Sequence, residues 1–222
     1  MNSIEVAAGD PAPTLRTLRT VGLRRSARDL WPGAALGAAL LVVPWLLLAL
    51  TDSRLTGVEE SGFRFVNDLP DVMRPVLGPV MLLGTLGAWV VGVIAIGVLY
   101  RRAAPAVAVA VACWTSYLGA QIVKGIVARG RPADLLTSFV ARSQADGFGF
   151  ASGHAAVVAG AAAALSPWLP RPWRVVAWSL VVLVAIARVY AGVHLPLDVV
   201  AGVGIGLICG TVATVVAGTP DV

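Results

Sequence analysis

The sequence predicts an all-α, six-transmembrane-helix bundle with a short interfacial helix between spans 1 and 2. Three observations predict it. Of the 222 residues, 58% are hydrophobic and only 13% are charged, where a soluble domain carries about a quarter. Mean hydropathy is +0.83. Residues 30–51, 75–100, 103–123, 147–170 and 199–220 contain no Asp, Glu, Lys or Arg. Each stretch is as long as the roughly 20 residues a helix needs to cross the hydrocarbon core. This composition excludes a disordered chain, a nucleic-acid-binding module and an ordinary cytosolic enzyme.

Residues 1–29 form a basic N-terminal segment with Arg16, Arg19, Arg24, Arg25 and Arg28. Gly9, Pro11 and Pro13 make 1–14 a disordered tail, and 15–29 suits anionic headgroups. The segment is no cleavable signal peptide, because the apolar run after it is too long and lacks a small-x-small site. Residues 30–218 form a single membrane domain, with spans at about 32–51, 76–99, 105–123, 152–169, 173–191 and 196–216. Between the first two, Val58, Phe63, Phe65, Val66 and Leu69 give the amphipathic pattern of an interfacial helix. Arg101 and Arg102 end span 2, and Pro105 opens span 3. Span 5 requires Arg174 to snorkel at one end and Arg188 to sit inside the other. An arginine inside a span marks a functional site by default. Trp31, Trp89, Trp168 and Trp173 fall near span ends, as an aromatic belt does.

Six spans put both termini on one side. Nine basic residues then lie on the terminal side and eight on the other, so the raw count is nearly even. The cluster directly before span 1 places the termini in the cytoplasm. The two cysteines, Cys113 and Cys209, lie in apolar spans and are expected as small buried hydrophobes, with no disulfide and no zinc site.

The polar residues are scarce: 16 Arg, one Lys and two His. The single lysine, Lys124, and Arg131 follow span 3. Ser152 and His154 open span 4, Arg188 ends span 5, and His194 and Asp198 open span 6. All of them fall on one face of the membrane, the extracytoplasmic one in this orientation. Three cations beside two histidines repel a metal and suit concentrated negative charge, of which phosphate is the natural form. Ser152 occupies an N-cap position, and Gly153 lets the backbone approach a phosphoryl group at the helix N-terminus. Pro196 suits the first helical turn, which lets Asp198 reach back to His194. A carboxylate on one ring nitrogen leaves the other free as base or nucleophile. His154 can then give a proton to a leaving oxygen. The set describes phosphoryl transfer through a phosphohistidine. Arg129 sits between these positions and is expected as an interfacial charge, and Arg142 and Asp146 as loop solvation.

Lys124, six residues, then Arg131-Pro132; Ser152-Gly153-His154; Arg188, five residues, His194, three residues, Asp198: this order and spacing resembles the three-part signature of the type 2 phosphatidate phosphatase superfamily. That superfamily includes bacterial lipid phosphatases, glucose-6-phosphatase and the vanadium haloperoxidases. The resemblance covers residues 124–198. It implies that Lys124, Arg131 and Arg188 bind the phosphoryl oxygens, with Ser152 and Gly153 completing the cradle. It implies His194 as nucleophile, Asp198 as its orienting partner, His154 as general acid, and neither metal nor other cofactor. Ala151 stands where the pattern has Pro, and Ala187 where it has Ser, which bears on rate and substrate preference more than on reaction type. The expected activity is hydrolysis of a membrane lipid phosphate, with polyprenyl diphosphate, phosphatidate and phosphatidylglycerophosphate as candidate substrates and partners. A lipid phosphotransferase using the same phosphohistidine is the alternative from the same chemistry. A non-catalytic lipid transporter or binding protein is the alternative from another class.

Overall fold

Glycine recurs every fourth residue along the last helix of the chain, at Gly202, Gly206 and Gly210, and this stripe organises the bundle. The computed structural model describes residues 15–100 and 103–218. Among these residues every regular element is helical. The expected tail 1–14 and the pair Arg101–Arg102 lie outside the described residues.

The helices are α1 (Leu15–Leu50), α2 (Gly57–Asn67), α3 (Arg74–Met81), α4 (Leu86–Tyr100), α5 (Ala103–Val127), α6 (Pro132–Leu135), α7 (Gly153–Leu165), α8 (Arg171–Tyr190) and α9 (Pro196–Ala217). The centre is α9, which packs on α1, α5 and α7. A methyl group at Gly206 would strike Ala156 O and come within 2.6 Å of Ala159 Cβ, and one at Gly210 would come within 2.6 Å of Gly160 O. Only hydrogen at these positions allows α9 and α7 to lie backbone to backbone, the way apolar helices associate without a hydrophobic driving force. Gly204, on the opposite face, meets Gly37 of α1 in the same manner. Eight of the thirteen α7 residues are buried and none is exposed, whereas the exposed side chains of α1, α4 and α5 include Trp45, Leu50, Ile94, Leu99, Ile122 and Ile126. That inside-out distribution is the one a bilayer solvates.

Among the described residues, four helices are long and apolar enough to cross a membrane: Trp31–Leu50, the α5 region, α8 and α9. A fifth crossing arises if Asp71–Gly84 and Leu86–Leu99, bent by 72°, are taken as one. The span expected over about 76–99 is thus broken by a bend. Pro79 lies inside α3, a 3-10 turn follows at Leu82–Gly84, and Thr85 is extended. The Thr85 hydroxyl accepts the Ala88 N–H at 3.4 Å and donates to Leu82 O at 2.6 Å, which caps a new helix. The segment expected as span 4 is a thirteen-residue helix extended by a 3-10 turn at Ser166–Trp168. At the N-terminus, α1 runs without a break from Leu15, joining the basic segment to span 1. The expected short helix between the first two spans is present as α2. Trp31 and Trp173 are exposed, while Trp89 packs inward against the cluster around Val157. Both cysteines are free, with Cys113 buried and Cys209 half-buried.

Candidate active site

The end of α5 brings the first cation. Lys124 lies in its last turn, and Ala128, with a positive φ of 49°, ends the helix. The Lys124 ammonium donates to Phe148 O at 2.6 Å and Gly149 O at 3.3 Å. Arg131 just beyond donates through Nε to Gly147 O (2.8 Å), and through its two terminal nitrogens to Asp146 O (2.9 Å) and Val193 O (2.7 Å). The 146–149 loop is thus wrapped onto two cations. A guanidinium has five N–H bonds, so two on Arg131 are left for a ligand.

Ser152 is the N-cap of α7 by its backbone angles, as expected, yet its hydroxyl makes no capping bond. Its N–H donates to Asp198 O at 2.8 Å, and its Oγ is buried with no partner among the described residues. His154 follows in the first turn, half-buried. Gly84, in the 3-10 turn before α4, presses against it, and a methyl there would lie 2.6 Å from His154 Cβ. The bend between α3 and α4 therefore seats this histidine.

Arg188 occupies the last turn of α8 and is 7% exposed. Gly192, at φ 75°, reverses the chain and delivers His194 to the start of α9. Pro196 opens that helix, and Asp198 lies in its first turn. Asp198 Oδ2 accepts the Leu195 N–H at 2.9 Å and lies 3.4 Å from His194 Nδ1. That separation is ion-pair range, longer than a formed hydrogen bond, and His194 Nδ1 has no other partner among the described residues. Burial, with Arg188 and Lys124 adding to it, pulls the His194 imidazole down to about 4 against the opposing pull of Asp198. The ring is accordingly neutral at pH 7, with one nitrogen lone pair available.

Of the eight expected site residues, Lys124, Arg131, Gly153, His154, Arg188 and His194 line one pocket of about 580 Å³. Ser152 and Asp198 stand behind that wall, fully buried. The remaining wall includes Tyr117, Gln121 and Gly125 of α5, a helix face that also exposes Trp114 and Ile122. The Arg188 guanidinium bonds to neither Asp198 nor the loop backbone. It makes no side-chain hydrogen bond among the described residues, and its Nε is buried.

Two expectations outside the eight are corrected. Arg129 is not an interfacial charge but is 1% exposed. It donates to both oxygens of Glu59, at 2.9 and 2.6 Å, and to Asp198 Oδ1 at 3.2 Å. Arg142 is not loop solvation either. It donates to Asn67 O, Leu69 O, Tyr190 O and Asp71 Oδ1, and covers the Tyr190 ring at 3.9 Å. The missed signal was on α2. Glu59 and Asn67 share the helix face of Phe63 and Val66, and a carboxylate on the apolar face requires a buried partner.

The fold has solved counterparts. The crystal structure of Aquifex aeolicus LpxE matches with a TM-score of 0.66 at 24% identity, covering 71% of this chain and 95% of that one. The structure titled as the first transmembrane PAP2 type phosphatidylglycerolphosphate phosphatase from Bacillus subtilis matches with a TM-score of 0.65 at 22% identity, covering 80% and 94%. No curated protein sequence matches the chain. The model of the PAP2 superfamily matches residues 103–220, the part that supplies every cation and histidine of the pocket and more than half of the sequence. The chain belongs to the PAP2 superfamily.

Proposed function

We propose that this protein is a metal-independent lipid phosphate phosphatase that works through a phosphohistidine. The observation that carries this reading is the His194–Asp198 pair, buried beneath a pocket that also presents Lys124, Arg131, Arg188 and His154. The substrate phosphoryl group enters this pocket and meets three cations and the amide end of α7. Arg188 supplies an unoccupied guanidinium, Arg131 its two remaining N–H bonds, and Ser152 an unpartnered hydroxyl.

His194 Nε2 attacks phosphorus, and an N–P bond forms as the ester or anhydride P–O bond breaks. The electron pair of that bond goes to the leaving oxygen, which takes a proton from His154. Asp198 stabilises the positive charge that develops on the His194 ring. Water then attacks the phosphohistidine, giving its proton to His154 and releasing inorganic phosphate. Two histidines and three cations leave little affinity for a divalent metal, so the step is written without one.

The lipid nature of the substrate is supported by the wall of the pocket. Tyr117, Gln121 and Gly125 lead along the exposed face of α5, where a tail can stay in the bilayer while the phosphate reaches Lys124. We place six passes across the membrane, counting α3–α4 as one bent span and α7 as a short central one. The termini are then cytoplasmic and the pocket extracytoplasmic, which the arginine cluster before α1 supports.

The test uses purified protein in liposomes with polyprenyl diphosphate, phosphatidate and phosphatidylglycerophosphate, each assayed for inorganic phosphate release. Release from at least one, unchanged by a chelator, is expected. Transfer of labelled phosphate to a second lipid would assign a phosphotransferase instead. No phosphate movement from any of the three would overturn the reading.

A further inference from the structure

Behind the residues that reach the pocket lies a cluster of buried charges. Arg129 has a fully buried side chain, as has Asp198, and that of Glu59 is 4% exposed. The three come from distant parts of the chain: Glu59 from α2, Arg129 from the turn after α5, Asp198 from the start of α9. Buried ion pairs are weak evidence for stability, because apolar residues of similar volume often serve as well. Their placement is more informative here. The cluster ends on His194.

The bonding is unequal. Both Glu59 oxygens are engaged with Arg129, at 2.9 and 2.6 Å, whereas a single longer contact of 3.2 Å reaches Asp198. Glu59 Oε1 also accepts the Leu197 N–H at 3.3 Å, so α2 is fastened to the same helix turn that carries Asp198. Of the two Asp198 oxygens, Oδ1 meets Arg129 and Oδ2 faces the Leu195 N–H and His194 Nδ1. One guanidinium is thus shared by two carboxylates. The trio carries one net negative charge, and the weaker contact leaves that charge on the carboxylate beside the histidine.

We infer that Glu59 and Arg129 are a positioning pair for the His194–Asp198 couple. Arg129 fixes the Asp198 carboxylate so that Oδ2 points at the ring, and Glu59 holds the guanidinium so that it does not neutralise Asp198. The inference rests on the hydrolase reading for its role in turnover, but the charge coupling is a property of the fold and is measurable without turnover.

The chain has two histidines, so an imidazole titration followed by 15N NMR in detergent gives two curves, and His154→Gln assigns them. Asp198, Arg188, Lys124, Arg131 and His154 face or line the same space as His194 and stay constant across the variants. Glu59→Gln removes a negative charge and frees Arg129 to bind Asp198 fully. The imidazolium loses support, and the His194 midpoint falls by roughly half a unit or more. Arg129→Met removes the positive charge and raises it by a similar amount. The double variant Glu59→Gln/Arg129→Met keeps the net charge, so its midpoint returns toward that of the wild type. In each case kcat on the lipid phosphate falls by roughly tenfold, since the carboxylate is no longer aimed. Arg129→Lys keeps the charge and recovers the midpoint but only part of kcat.

A purely structural pair would move stability and leave both midpoints alone. If Arg129→Met does not fold, Glu59→Gln and the double variant still decide the matter. No shift in Glu59→Gln, or shifts of the same sign in both single variants, overturns the inference. Opposite shifts in a protein that releases no phosphate would keep the pair and reject the hydrolase reading.

Discussion

Arg142 and Arg188 sit at the same end of α8 and are held in opposite ways. Arg142 spends all three guanidinium nitrogens on Asn67 O, Leu69 O, Tyr190 O and Asp71. Its plane also covers the Tyr190 ring. Arg188, two residues before Tyr190 on α8, is as buried and makes no side-chain hydrogen bond among the described residues. A buried charge costs free energy unless it is paired. The first arginine meets that requirement inside the fold and ties α2, the 136–150 segment and α8 together. The second leaves it unmet, with its guanidinium on the wall of the pocket. The difference separates an arginine that the fold needs from one that a bound anion needs. Arg131 stands between them, anchored by three carbonyls while keeping two N–H bonds.

The largest effect is expected on removing the open arginine. Arg188→Leu should lower phosphate release by roughly 100-fold or more, the scale of losing a donor aimed at transition-state charge. Its melting temperature in detergent should stay level or rise, because an unpaired buried charge has gone. Arg188→Lys should fold equally well and recover only part of the rate. An Arg188→Leu protein that unfolds, or that keeps full turnover, would erase the contrast with Arg142.

Arg142→Leu should behave in the reverse sense. Three carbonyls lose their donor, at about 1 kcal/mol each, so stability should fall by about 3 kcal/mol, read from thermal or denaturant unfolding. Turnover per folded molecule should change little. A large loss of kcat with unchanged stability would move Arg142 into the site.

A smaller effect is expected at Gly84. A methyl group there meets His154, whereas one at Gly87 meets nothing within 4 Å. Gly84→Ala should displace the His154 ring and cost roughly tenfold in kcat, while Gly87→Ala should leave kcat unchanged. Equal rates in the two variants would show that the α3–α4 bend does not position this histidine.

The same contrast explains what could be read in the sequence. Lys124, Arg131, Ser152, Gly153, His154, Arg188, His194 and Asp198 are fixed by short-range spacing, and spacing is visible in a string of letters. Asp198 reaches His194 because both lie within one turn of a helix start. The spans of α1, α5, α8 and α9 were legible for a similar reason, since an apolar run of that length has few alternatives. Arg129 and Arg142 were not legible, because their partners lie 48 to 75 residues away, upstream in and just after α2 and downstream around α8 and α9, and only tertiary packing joins them. Glu59 did carry a signal, a carboxylate on the face of Phe63, but hydropathy averages it away. The break at Gly84-Thr85 was hidden for a like reason: a span is read by its mean apolarity, and the cap that Thr85 makes is a single hydroxyl.

The central claim is that phosphate passes through His194. The most direct measurement is trapping by a rapid quench in alkaline detergent of the purified protein with a lipid phosphate labelled in its terminal phosphoryl group. The account predicts a covalent label that is stable in base, labile in acid, located on His194 by peptide mapping and absent from His194→Ala. A label that persists in His194→Ala, or turnover in that variant at the wild-type rate, would contradict it.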